Sequence, residues 1–374
     1  MGFIRFILAC GVVLCHTSAI YGYMPLSGDI AVQVFYIISG FYMAFILNDK
    51  YVGKGSIATF YSNRALKIYP IYWLVLLLII AWSALMYYLG YPGVMRQYVD
   101  NWPLSFFTLA YLCLSNIWIM GLDWVFLVGL GNNGDMFFTS DFNSFNPKLY
   151  TFCFNSIAWT IGIELMFYML APFIVKRNIK LIILLLFISL TLRLVLAYFG
   201  LSDAPWNYMF FPTQLMFFMA GIISFRLYYR IRNVEIHRIV SMSIFIAYSL
   251  FLLFYYNLFP NSYIQEVLLF SFTALIIPVV FKLSMKSKID RYLGDLSYPI
   301  YISQSLIIMV TAPKVFPKIF GWGFTALCLC IFFAVVVHHF ITRPIERMRL
   351  EKIGKMQKAK SQSNQKYKES VFTG

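Results

Sequence analysis

Apolar residues come in runs near twenty residues long, too long for strands and without period-two alternation. The runs fall at 3–22, 30–47, 68–90, 154–175, 181–199, 209–227, 239–257, 264–281, 294–312 and 322–341, and each predicts a membrane-spanning helix. One further apolar stretch, 104–130, is interrupted by Asn116, Asp123 and several glycines, which suits a segment lining a cavity better than a lipid-facing span. The expected fold class is all-α, a polytopic integral membrane helix bundle of about ten transmembrane helices. The 104–130 segment is added as a re-entrant or interfacial element.

The polar positions between the runs set the orientation. Lys50, Lys54, Arg64 and Lys67 follow the second run, Lys176, Arg177 and Lys180 the fourth, and Arg226, Arg230, Arg232 and Arg238 the sixth. Lys282, Lys286, Lys288 and Arg291 follow the eighth, and more basic residues lie beyond Arg343, whereas the opposite connections hold only Arg96, Lys148, Lys314 and Lys318. By the positive-inside rule this predicts a multi-pass protein of the cytoplasmic (inner) membrane with both termini cytoplasmic. A single crossing by 104–130 would place Lys176, Arg177 and Lys180 outside, so that segment should enter and leave on one side.

Composition narrows the class further. With 61% hydrophobic and 12% charged residues among 374, and a mean hydropathy of +0.74, a soluble domain is excluded. The lack of alternating ten-residue strands excludes an outer-membrane barrel. The net charge of +15 is then a topology signal, and no nucleic-acid partner is expected; the partner is the lipid bilayer. The domain plan is a transmembrane domain over 1–347 and a basic, disordered cytoplasmic tail over 348–374, lying against anionic headgroups. The first run lacks an A-x-A cleavage site and reads as a retained span. The six cysteines show no metal-ligand spacing and read as small buried hydrophobes, so no metal is expected.

Few polar side chains interrupt the runs, and each is costly there. Arg5 and His16 are eleven residues apart in the first, about 20° from three full turns and so on one face, roughly 16 Å apart along the axis. The second carries Gln33, Tyr36, Ser39 and Gly40, with Gln33, Tyr36 and Gly40 at the i, i+3, i+7 spacing of a single face. Arg64 and Lys67 lie one turn apart at the start of the third, Glu164 and Tyr168 one turn apart in the fourth. Arg193 is within the fifth, and Tyr298, Tyr301 and Gln304 are in the ninth.

Plainer roles compete for each. Arg5 could snorkel to headgroups, His16 could join helices, and Glu164 could form an ion pair with Arg5 or Arg193. The chemistry nevertheless converges. Imidazole ordinarily titrates near neutrality and suits proton transfer with a hydroxyl, while an Arg fork and a Lys point charge suit phosphate. That combination fits moving a group from a cytoplasmic phosphorylated donor to an acceptor reached from the bilayer or the far side.

At these residues the chain resembles the membrane-bound acyltransferase 3 family, integral membrane O-acyltransferases, over nearly its whole length. Arg5 and His16 match an R-x10-H arrangement in the first helix. VQVFYIISGFYM resembles the second-helix pattern that ends in Ser39-Gly40-Phe41, and RALKIYPIY the double-basic motif, with Lys67 where Arg is usual. AWTIGIELMFY is similar to W-S-L-x-x-E-x-x-F-Y, keeping Trp159, Glu164 and Tyr168. SYPIYISQ is similar to S-Y-x-I-Y-x-x-H, with Gln304 in place of His.

The resemblance implies transfer of an acyl group, most often acetyl, from acetyl-coenzyme A. The acceptor would be a hydroxyl of a surface or lipid-linked carbohydrate, such as O-antigen, capsule or exopolysaccharide. It implies His16 as general base, with Arg5 and Glu164 as further catalytic residues, and Arg64 and Lys67 on coenzyme A. Substrate contacts are expected from Gln33, Tyr36, Ser39, Tyr168 and Tyr301. No permanently bound cofactor is expected, acyl-coenzyme A being a substrate. About thirty residues follow the last run, too few for a folded domain, so a stand-alone acyltransferase is the expectation. A flippase or exporter using Arg5, Glu164 and Arg193, or a membrane anchor for an assembly complex, are the competing readings. The oligomeric state is open.

Overall fold

The structure, a computed structural model, describes residues 1–53, 55–258, 263–311 and 321–354. In chain order the helices are α1 (Gly2–His16), α2 (Gly28–Asp49), α3 (Ser56–Tyr88), α4 (Val94–Asp100), α5 (Phe106–Trp118), α6 (Trp159–Ile174), α7 (Ile179–Tyr198), α8 (Phe211–Ile231), α9 (Arg238–Leu258), α10 (Tyr263–Ser284), α11 (Lys288–Val310) and α12 (Trp322–Val337). Every predicted span carries one of them. Seven of the described helical stretches are long and apolar enough to cross a membrane. The protein is therefore a polytopic helical membrane protein.

The first span is shorter than expected. α1 has 15 residues and stops at His16, although the apolar run continues to residue 22. The Thr17 hydroxyl turns back to the Val13 carbonyl (2.8 Å), Gly22 takes a left-handed φ of 81°, and Pro25 follows. Those residue types favour caps and turns over helix interiors. His16 thus ends a helix instead of sitting deep in one.

Two helix pairs anchor the bundle: α2 lies along α8, and α1 along α11. In the first, a Cβ on Gly40 would stand 2.1 Å from the Phe218 carbonyl oxygen, and one on Gly221 2.0 Å from that of Ile37. The second pair is as close, with a Cβ on Gly2 only 1.6 Å from the Asp290 carbonyl oxygen. Lipid tails are as apolar as leucine, so close backbone approach and polar contacts hold membrane helices together more than burial does. Asp290 adds a polar contact: its carboxylate accepts the N–H groups of Gly2 (2.8 Å) and Phe3 (2.9 Å), which α1 itself leaves unpaired. The outer helices show the opposite character, with Leu184, Ile188 and Leu194 of α7 facing outward.

The 104–130 segment enters and leaves the bundle at one end. α5 runs back along α3 and stops at its middle, where its last carbonyls accept from Tyr69 (2.7 Å to Trp118), Trp73 (3.0 Å to Ile117) and Tyr72 (to Asn116). Positive φ angles at Ile119 and Gly121 then reverse the chain into a 3-10 turn, Leu122–Phe126. An antiparallel hairpin follows, β1 (Val128–Leu130) with β2 (Met136–Phe138). Paired carbonyls and a chain reversal of this kind belong where backbone is shielded by protein.

After α12 a π-helical turn, His338–Thr342, widens the helix before it resumes as α13 (343–354). Residues 348–354 of the predicted tail are therefore ordered helix, and Arg349 and Ile353 are buried. The Lys352 ammonium donates to Ser62 of α3 (3.1 Å). The remaining tail, 355–374, lies outside the described residues, as do Lys54, Lys314 and Lys318. Residue 1 sits beside Asp290 and α13 beside Ser62, so both lie at the end of the bundle that carries Lys50 and Arg64. This is the basic end.

Candidate active site

A cavity of about 510 Å³ opens at the basic end between α1, α2, α3, α6, α11 and α13. Its longest wall is one face of α2, from Val32 through Ser39 to Ile46 and then Lys50. Eighteen residues of helix separate Val32 from Lys50, or ~27 Å at 1.5 Å per residue. Arg5, Arg64, Lys67 and Glu164 line this cavity, as do Tyr36, Ser39, Tyr168 and Tyr301. His16 and Gln33 do not.

The acid is held by hydroxyls, not by a cation. Glu164 Oε1 accepts from Ser39 Oγ and from Tyr168 OH, both at 2.5 Å. Ser39 reaches it from α2, and Tyr168 from the next turn of α6. The ion pair with Arg5 or Arg193 weighed from the sequence does not form. Arg193 stands on α7, its guanidinium over the Phe217 ring at 5.9 Å, and does not line the cavity. Deeper in, Tyr301 OH and Thr160 Oγ1 share a hydrogen bond of 2.7 Å, and Tyr36 OH donates to the Thr160 carbonyl at 3.4 Å.

Cations gather nearer the mouth. Lys67 sits among Arg5, Arg64 and Arg349, with Asp295 as the acid facing it. Arg64 is only 8% exposed, held between the Phe60 and Tyr168 rings at 5.9 Å from each. Its Nε lacks a hydrogen-bond partner, and it has no carboxylate partner among the described residues. Such a wall attracts anions, and its arginines match phosphate oxygens in shape.

His16 occupies the other end of α1 and is exposed. Its Nδ1 lies 2.9 Å from the Val12 carbonyl, one turn back. A carbonyl only accepts, so Nδ1 carries the proton and Nε2 of the neutral ring holds the free lone pair. The cavity stops short of this residue. A Cβ on Gly28 would stand 3.8 Å from that of Cys15, and Val32 at the cavity's inner limit is one turn farther along α2, ~6 Å.

Gln33 is placed elsewhere. It is 3% exposed and donates to Gln214 of α8 at 3.3 Å, so it joins helices in the seam that Gly40 also occupies. Gln33 and Gly40 share a face, as their spacing predicts, but it meets α8, and the cavity takes the neighbouring face with Ser39. Gln304 is fully buried in α11 and does not line the cavity. Of the cysteines, Cys113 and Cys328 are exposed, contrary to the expectation that all six are buried.

Lys50, Arg291, Asp295, Glu346 and Arg349 also line the cavity and were not singled out as site residues from the sequence. The basic ones merge there with the charges that set topology. The spacing of Ile345, Arg349 and Ile353 by four residues after Pro344 was the available signal for α13.

The site is thus a cation-walled cavity with a hydroxyl-held carboxyl group, set inside a helical membrane bundle. The chain belongs to the acyltransferase 3 family: the family model for an acyltransferase domain matches residues 1–341. It is also similar to "Protein 2 in picA locus" of Rhizobium radiobacter, 34% identical over 107 residues, which is 28% of this chain and 56% of that protein. The chain thus spans little more than half the length of that curated relative. No solved structure matches.

Proposed function

We propose that the protein is an O-acyltransferase that takes an acyl group, acetyl being the family's commonest choice, from cytoplasmic acyl-coenzyme A. The acceptor is a hydroxyl of a cell-surface or lipid-linked carbohydrate on the far side of the membrane. The observation that carries this reading is the cavity along α2. Its mouth at Lys50, Arg64 and Lys67 suits the phosphates of a nucleotide donor, and its ~27 Å length suits a long pantetheine arm directed toward the His16 end. On this reading the basic end is cytoplasmic.

The chemistry then follows from the free atoms. His16 Nε2 removes the acceptor's hydroxyl proton as the oxygen bonds to the acyl carbon. The carbon–sulfur bond breaks, and coenzyme A leaves as the thiol, taking a proton from the imidazolium. Glu164, fixed by Ser39 and Tyr168, keeps its carboxyl group beside the donor's path. The transporter reading needs Arg193 on the path, and Arg193 is away from the cavity.

Purified protein in lipid nanodiscs, given radiolabelled acetyl-coenzyme A and a glycan extract, tests the proposal. His16→Ala should lower transfer roughly 10²- to 10⁴-fold, the usual contribution of general acid–base catalysis, with donor affinity kept. Transfer by His16→Ala within threefold of wild type would overturn the general-base role. Absence of any transfer from acyl-coenzyme A by the wild type would overturn the donor.

A further inference from the structure

Arg349 is the most deeply placed charge of the C-terminal helix. Only 6% exposed, it projects from α13 into the cavity mouth that Arg64, Lys50 and Arg291 also line. The π-helical turn redirects the chain so that α13 crosses the basic end, with Ile353 buried and Lys352 fastened to Ser62. The helix is therefore docked on the cavity.

The charges at this mouth do not balance. Arg349 Nη1 donates to the Glu346 carboxylate three residues back, while its Nε has no hydrogen-bond partner. Arg64 faces Arg349 closely enough to repel it, and Arg64 Nε is likewise unpartnered. Both guanidiniums are more than nine-tenths buried, yet among the described residues only Arg349 has a carboxylate partner, Glu346, which is itself 41% exposed. Burying like charges together is costly unless an opposite charge and further hydrogen bonds complete the set. The missing component is an anion with several acceptor oxygens in reach of two planar forks, the geometry of a phosphate ester or pyrophosphate.

We infer that Arg349 is a donor-binding residue that clamps a phosphate of the acyl donor together with Arg64, making α13 part of the donor site. This rests on the acyl-coenzyme A reading above. Glu346 acts here as an internal competitor that occupies one arm of the Arg349 fork until phosphate displaces it. The phosphate chemistry could equally come from an anionic lipid headgroup, and the test separates the two sources.

The experiment measures coenzyme A binding by calorimetry to full-length protein in zwitterionic and in anionic nanodiscs. Arg349→Gln should weaken coenzyme A at least tenfold in both, Arg349→Lys should restore part of that loss, and inhibition by phosphate-free pantetheine should be unchanged. Glu346→Gln should tighten coenzyme A two- to threefold by freeing the fork, an effect that a merely structural Arg349–Glu346 pair would not give. Unchanged coenzyme A affinity in Arg349→Gln, with wild-type transfer intact, overturns the inference alone. An Arg349→Gln effect only on anionic-lipid retention assigns the arginines to a headgroup and also overturns it. If wild type neither binds coenzyme A nor transfers from it, the donor reading itself fails.

Discussion

The two ends of α1 stand in unlike surroundings. Around Arg5, α2, α3, α6, α11 and α13 close a cavity crowded with Lys67, Arg64, Arg349, Glu164 and Asp295. Around His16 the helix has ended and the ring is exposed, with one nitrogen committed to its own backbone. The basic end presents many fixed charged groups, whereas the His16 end presents one free ring nitrogen and an open approach. On the proposed reading, the difference teaches how one bundle would be selective for its donor and permissive for its acceptor. Many fixed groups would recognise the shared chemistry of the donor, and the variable partner would meet few.

The largest effect should come from breaking the seam that keeps the two ends in register. Gly40→Leu forces a side chain into the 2.1 Å gap before Phe218, and no folded, monodisperse protein should elute on size exclusion. A folded Gly40→Leu enzyme with normal transfer would show that α2 and α8 need not touch there. Next, Glu164→Gln keeps the shape but removes the charge. Transfer should fall on the order of 10²-fold with coenzyme A affinity within twofold. A change in donor affinity with normal maximal rate would move Glu164 to the binding half of the comparison. Smallest, Gln33→Ala should lower thermal stability by about 0.6 kcal/mol, an average interhelical hydrogen bond in a membrane, and leave activity within twofold. A large loss of activity there would return Gln33 to the substrate path.

Much of this arrangement is legible in the residues. Ionisable side chains are too costly in apolar runs to be scattered, so Arg5, Arg64, Lys67 and Glu164 could be expected to converge, and they do. The irregular segment was readable from Asn116, whose side-chain carbonyl accepts from Phe154 N–H at 2.9 Å and ties the returning chain to α5. What periodicity could not supply was the identity of the neighbour. Gln33 and Gly40 differ by 20° around α2, yet only packing says whether that face meets α8 or the cavity. Tyr36 shows the ambiguity in one residue: its ring stacks on Phe218 at 4.7 Å while its hydroxyl turns to Thr160. The end of α1 was hidden because Ala19 and Ile20 extend the apolar run past the Thr17 and Ser18 that stop the helix. The reach of α13 was hidden because a buried arginine has the same letter as a tail arginine.

The brevity of α1 carries a further consequence. Fifteen residues span ~22 Å, against ~30 Å for the hydrocarbon of a bilayer. A membrane that wets the rest of the bundle must thin beside this helix, or leave His16 some way beneath its surface. Either way the insulating layer is at its narrowest along the line from Arg5 to His16. On the proposed reading, the acyl group needs no carrier cycle to reach the far side. The donor stays on one shore and the acceptor on the other, and the protein shortens the crossing to the length of the donor's own arm.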